Sequence, residues 1–253
     1  MRIAEIFRSR QGEGHLTGTE SVFVRTSGCN LRCGYCDTPY ASSCPVGEDL
    51  SVEEIVEQVR RQCGSRPHPS PLPEGEGTAG RPHPSPLPEG EGTAYVVLTG
   101  GEPMLFAELV PLSQWLRDEG FHITVETAGT LYLPVTCDLM SISPKLSNST
   151  PPDGAGSRWA WRHEAHRHRP EVVRRLVAEW DYQVKFVVDA EADLPEVEAY
   201  LAELPEIDRR RAMLMPQGTD SQQLAAKAAW IEPYCTEHGL TFCPRRQIEW
   251  QKR

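Results

Sequence analysis

SVFVRTSGCNLRCGYCDTPY, residues 21–40, joins a β-branched run to three cysteines, Cys29, Cys33 and Cys36, within eight residues. SVFVRT reads as a buried strand, so the cysteine loop lies at that strand's carboxyl end. In folds of parallel strands and crossover helices, chemistry gathers at those ends. A structural zinc takes four protein ligands, and an iron–sulfur cluster is usually held by four cysteines. Three thiolates would leave one metal position open for a substrate or cofactor. Two plainer readings stand beside this one. Incidental buried thiols are common, although the Asn, Arg, Gly and Asp residues around them make a poor core segment. A zinc site completed by a distant histidine is the other.

Outward from this stretch the pattern repeats. RIAEIF (2–7), YVVLT (95–99), HITVET (122–127), DLMSIS (138–143), YQVKFVV (182–188) and AMLMP (212–216) read as strands. Helical periodicity falls at 51–62, 105–119, 170–180, 191–204 and 220–237. The first of these opens with a capping box, Ser51 and Glu54, and meets a stop at Gly64. Alternating strands and helices imply an α/β fold with parallel strands. At 253 residues the chain suits one large domain, 1–253, with a substantial core.

One stretch departs from this plan. RPHPSPLPEGEGTA occurs at 66–79 and again at 81–94, with Gly80 between the copies. Such a segment removes backbone donors and offers little to bury, which predicts an extended, mobile insertion over 65–94 in a surface loop. A proline-rich ligand for a partner is the alternative reading.

The formal charge is −10, from 26 basic and 36 acidic residues, which disfavours binding to nucleic acid or an anionic membrane. No secretory signal or membrane-length apolar run is visible. Eight cysteines in such a chain read as reduced thiols or metal ligands, which points to the cytoplasm. Cys44, Cys63, Cys137, Cys235 and Cys243 are scattered singly and read as packing or surface residues. RHEAHRH (162–168) holds His163, His166 and His168, and its Gly/Pro/Arg-rich surroundings read as a solvated loop.

Further motifs stand at strand ends: TGGEP (99–103), whose glycines permit a close backbone approach and whose Glu102 offers a carboxylate nearby, and SISPKL (141–146). QGEG (11–14), CDT (36–38) and MPQGTD (215–220) complete the set. The three cysteines at this spacing, with Tyr35 before the last, resemble the radical S-adenosylmethionine (SAM) superfamily. With QGEG and SPKL, nearly the whole chain apart from 65–94 resembles its 7-carboxy-7-deazaguanine synthase family.

That resemblance implies a partial α/β barrel and a 4Fe-4S cluster on Cys29, Cys33 and Cys36, with SAM chelating the fourth iron. It implies conversion of 6-carboxy-5,6,7,8-tetrahydropterin to 7-carboxy-7-deazaguanine with loss of ammonia, assisted by Mg²⁺, in queuosine biosynthesis. Carried over residue by residue, Arg10, Gln11, Gly12, Arg25 and Thr99 are expected at the substrate and Thr38 at Mg²⁺. Tyr35, Cys36, Asp37, Gly101, Ser143, Pro144 and Lys145 are expected at SAM. The family also implies a homodimer and an electron donor of flavodoxin or ferredoxin type. Another small radical SAM enzyme, of glycyl-radical activase type, and a non-catalytic zinc-binding module are the alternatives.

Overall fold

A computed structural model describes residues 1–63, 95–151 and 157–250. Gly64 and the duplicated segment at 65–94 lie outside the described residues. The strands are β1 (Arg2–Arg10), β2 (Glu20–Thr26), β3 (Glu48–Asp49), β4 (Tyr95–Gly100), β5 (His122–Thr127), β6 (Leu139–Ile142), β7 (Tyr182–Val188), β8 (Ala212–Pro216) and β9 (Thr241–Phe242). The helices are α1 (Val52–Cys63), α2 (Leu109–Asp118), α3 (Arg158–Arg167), α4 (Pro170–Glu179), α5 (Leu194–Glu203), α6 (Ser221–His238) and α7 (Arg246–Trp250).

All of the strands join one sheet in the order β3-β1-β2-β4-β5-β6-β7-β8-β9. From β2 to β9 every neighbouring pair is parallel. Period-two alternation divides each strand between two environments. Val22 and Val24, Val96 and Leu98, Ile123 and Val125, Met140 and Ile142, and Val184 and Phe186 belong to the apolar core. Helix residues Ile55, Val59, Leu112, Leu116, Leu176 and Ile231 share that core. Truncating one such residue, for example Leu112→Ala, would cost about 2–5 kcal/mol. The alternate positions, including Phe23, Arg25, Thr99, Glu126, Ser141, Lys185 and Met215, line a cavity on the other face. A sheet whose inward positions share one cavity is curled, with β3 and β9 at its two edges: a partial barrel.

The expected parallel ladder fails at one edge. β1 pairs antiparallel with both β2 and β3. Only residues 11–19 separate β1 from β2, too few for a crossover helix, so the chain must return beside itself. Two further departures follow from local signals. The helix expected over 105–119 is a 3₁₀ turn at Pro103–Leu105 followed by α2, because the Glu102 carboxylate accepts from Met104 N and closes the turn separately. The RHEAHRH stretch is not a solvated loop. Its residues 162–167 belong to α3, with His168 at the C-cap; the helix is capped by Ser157 Oγ, which accepts from Ala160 N at 3.0 Å, and His163 is buried. Elsewhere the capping box of α1 forms as expected, Ser51 N donating to Glu54 and Glu54 N to Ser51 Oγ.

Candidate active site

The cavity measures about 610 Å³. β2 delivers Cys29, Cys33, Tyr35, Cys36, Asp37 and Thr38 to its wall, β4 delivers Thr99, Gly100 and Gly101, and β6 delivers Ser143 and Lys145. Arg10, Gln11, Gly12 and Arg25 complete the expected set. Pro144 alone of the expected residues is not part of the wall; it is buried. The other five cysteines do not line the cavity.

The donor set fits an iron–sulfur cluster with one open iron. Among the described residues, no three His, Cys, Asp or Glu side chains are drawn together tightly enough to hold a single metal ion. Three thiols on one cavity wall suit a cluster that takes them on separate irons. Burial pushes the Cys29 thiol up to about 12 and Cys33 up to about 11, so cluster assembly must displace protons from them. Gly101 is packed where no side chain fits: a Cβ there would stand 2.3 Å from the Gly28 and Ala41 carbonyl oxygens. That fit closes the Gly-Gly turn against the main chain at the two ends of the cysteine loop.

Glu102 has a different place from the one its sequence position implies. It is fully buried and absent from the wall. Its carboxylate accepts from Thr127 Oγ1 and Ala128 N, each at 2.8 Å, as well as from Met104 N. Burial pushes its pKa up, opposed by those donors. It holds the Gly-Gly turn against the end of β5.

Several wall residues escape sequence reasoning. Glu126, near the end of β5, accepts from Gln11 Nε2 at 3.0 Å and from Thr99 Oγ1 at 2.9 Å. Two expected substrate contacts are thus fastened to one carboxylate. Lys185 Nζ, buried on β7, lies 3.0 Å from Glu13 and 3.8 Å from Glu126. Burial alone would push the Glu13 carboxyl up, but Lys185 and Arg245 outweigh it and hold it down at about 2. Burial opposes the charge on Lys185, and Glu13 and Glu126 reverse that effect and raise its pKa.

The end of the chain also reaches the wall through Arg245, Gln247 and Ile248. Arg245 bridges Asp37 at 2.5 Å and Glu13 at 3.4 Å, and Gln247 Nε2 donates to Glu13 at 2.6 Å. QGEG therefore forms a plug inside the barrel, held by β7 and by the chain's end. Gly14 within it takes φ +75°, and His15 N donates to Gln183 Oε1. The sequence signal for Lys185 and Glu126 was present: a charged residue at an inward position of an otherwise buried strand. Arg25 also differs from a bare guanidinium, because its Nε donates to Glu5 at 2.7 Å.

No protein-family model matches the chain. It is 42% identical over 249 residues to the 7-carboxy-7-deazaguanine synthase of Rhodopirellula baltica, covering 98% of this chain and 85% of the relative. The chain belongs to the 7-carboxy-7-deazaguanine synthase family. A second family member, from Halobacterium salinarum, is 39% identical over 256 residues, covering 97% of this chain and 88% of the relative. The crystal structure of QueE from Escherichia coli covers 97% of this chain and 93% of its own, with a TM-score of 0.65 and 20% identity, a likeness of fold. Membership in the 7-carboxy-7-deazaguanine synthase family makes this chain a radical SAM lyase that uses SAM and a 4Fe-4S cluster. Among the described residues, no helix is long and apolar enough to cross a membrane.

Proposed function

We propose that this cavity converts 6-carboxy-5,6,7,8-tetrahydropterin to 7-carboxy-7-deazaguanine, with the cluster held by Cys29, Cys33 and Cys36. The observation that carries this reading is convergence: the cysteine loop, the Gly100–Gly101 turn, Ser143 with Lys145, and the QGEG plug all face one space. Held by Cys29, Cys33 and Cys36 and completed by SAM, the cluster would supply the radical hydrogen abstraction that the ring contraction and loss of ammonia require.

The chain's own residues position and shield that chemistry. Gly101, on the cavity wall, presents main chain to the amino-acid end of SAM. Lys145, whose Nζ donates to Ser143 Oγ at 2.8 Å, supplies a cation for the SAM carboxylate. Tyr35 and Asp37 flank the same end, and Pro144, buried behind the wall, holds Ser143 and Lys145 in place beside it. Glu5 takes only the Nε edge of Arg25, and the remaining N–H groups suit the substrate carboxylate as a planar fork. Arg10, Gln11, Gly12 and Thr99 border the pterin. Its ring N–H groups need acceptors, which Glu13 and Glu126 provide. Phe7 and Phe23, stacked with centroids 5.2 Å apart, form an apolar slab on the same wall.

Thr38 offers a neutral oxygen for Mg²⁺, whose other ligands are water and substrate oxygens. The family resemblance supports a homodimer, a flavodoxin- or ferredoxin-type electron donor and a cytoplasmic setting. The deciding experiment is anaerobic reconstitution with iron and sulfide, then product analysis with SAM, Mg²⁺ and the pterin. A brown, SAM-responsive protein that forms the deazaguanine carboxylate fits the proposal. Stoichiometric zinc with no iron overturns it.

A further inference from the structure

His163 is the one histidine of the RHEAHRH stretch that is buried, with about 1% of its surface exposed. Its two ring nitrogens are both engaged, one by the cysteine loop and the other by a serine whose carbonyl also holds that loop. Arg32 N donates to Nδ1 at 3.1 Å, and Nε2 stands 2.8 Å from Ser149 Oγ. A backbone N–H can only donate, so Nδ1 carries no proton and Nε2–H donates to Ser149 Oγ. Ser149 Oγ in turn donates to Leu146 O at 2.5 Å. Every member of this relay is satisfied with one polarity, and the imidazole is neutral. Burial agrees with that state and holds its pKa down at about 4.

Ser149 has a second tie to the same loop, since its carbonyl accepts from Gly34 N at 2.8 Å. Cys33 therefore sits between two anchored amides, Arg32 before it and Gly34 after it, both fastened to the His163–Ser149 pair. We propose that His163 is a positioning residue that fixes the course of the cysteine loop around Cys33 and so presents that thiol for the cluster. The proposal rests on the radical SAM reading, and it gives α3 a purpose. The helix supplies a buried clasp for the middle of the loop, whose flanks are held separately, by Gly28 N on Ala41 O and Asn30 on Thr130 before it and by Asp37 on Arg245 after it. A histidine serving only the core would need no bond to this loop.

The test compares His163→Phe, which keeps ring volume and removes the acceptor, with His163→Asn, whose side-chain oxygen replaces Nδ1. Hydrogen exchange is read in the iron-free protein over the peptide containing Arg32 and Gly34. Exchange in His163→Phe should quicken about tenfold, the scale of one lost buried hydrogen bond, while His163→Asn stays near wild type. After reconstitution, an iron chelator should strip His163→Phe correspondingly faster than wild type or His163→Asn. Wild-type exchange together with wild-type chelator resistance in His163→Phe would overturn the proposal. If His163→Phe does not fold, Ser149→Ala takes its place: it cuts the relay at Oγ and should quicken exchange of the same peptide by a smaller factor, and unchanged exchange overturns the proposal. Failure of the wild type to take up iron would instead count against the cluster, because the exchange measurement needs none.

Discussion

Glu13 and Lys185 are 172 residues apart in the chain, and their charged atoms lie 3.0 Å apart inside the barrel. The pair ties the plug to β7. Because the Glu13 carboxyl is held near 2 against an ordinary value of 4.5, it contributes stability that is present above about pH 4.5. That contribution is lost as the pH falls toward 2. Its scale is on the order of 3 kcal/mol. Glu13→Gln should therefore flatten the fall of melting temperature between pH 5 and pH 2.5. Lys185→Met, which leaves Glu13 with only Arg245 and Gln247, should cost about 1–3 kcal/mol at pH 7 by urea unfolding. Identical acid profiles for wild type and Glu13→Gln would show that the pair contributes nothing.

Replacing Cys29, Cys33 or Cys36 by Ala should leave a folded protein that retains little iron after anaerobic reconstitution and forms no product. Alanine at Cys44, Cys63, Cys137, Cys235 or Cys243 should preserve iron content, since none of these thiols lines the cavity. Iron per chain and the visible spectrum decide it. A Cys33→Ala protein with a full cluster would sink the assignment.

Thr38→Ala should raise the Mg²⁺ concentration needed for half-maximal turnover about tenfold, the scale of one contact of ~1.4 kcal/mol. Cleavage of SAM without substrate should change little, because the proposed metal touches the substrate. Should both activities fall together with an unaltered Mg²⁺ response, Thr38 has another role.

Removing residues 65–94 should leave cluster content and turnover intact. α1 carries its own capping box and core residues, and β4 is held by β2 and β5, so neither element needs the repeat. Loop closure depends only logarithmically on length, so stability should change by about 1–2 kcal/mol at most, upward. Loss of turnover with the cluster intact would reveal a function for the repeat.

Most of the parallel strands were legible as short apolar runs bounded by turn residues, β-branched in β2, β4, β5 and β7, whereas β9, two residues long, gave no such signal. The cysteine loop was legible because thiols at that spacing have few structural uses. What escaped depended on contacts across the chain. Nothing near Arg245 reveals that it meets Asp37, 208 positions earlier. Nothing in QGEG announces that Gln11 will bind Glu126. α3 escaped for another reason: its apolar face is reduced to Ala160 and His163, with Trp161 71% exposed. The Ser157 cap and Pro170, which opens α4, were its only markers. Glu102 was legible as a carboxylate near the site, but only packing shows that it braces the turn.

The register of β2 with β4 also separates two kinds of freedom. Tyr95 pairs with Ser21, and Gly100 with Thr26, so the repeat enters β4 about 17 Å along the strand from where the cysteine loop leaves β2. Sequence added ahead of Tyr95 therefore joins the described fold at the strand end opposite the cysteine loop. If the deletion above leaves turnover intact, that junction is a port where a reporter or a second domain could be spliced in.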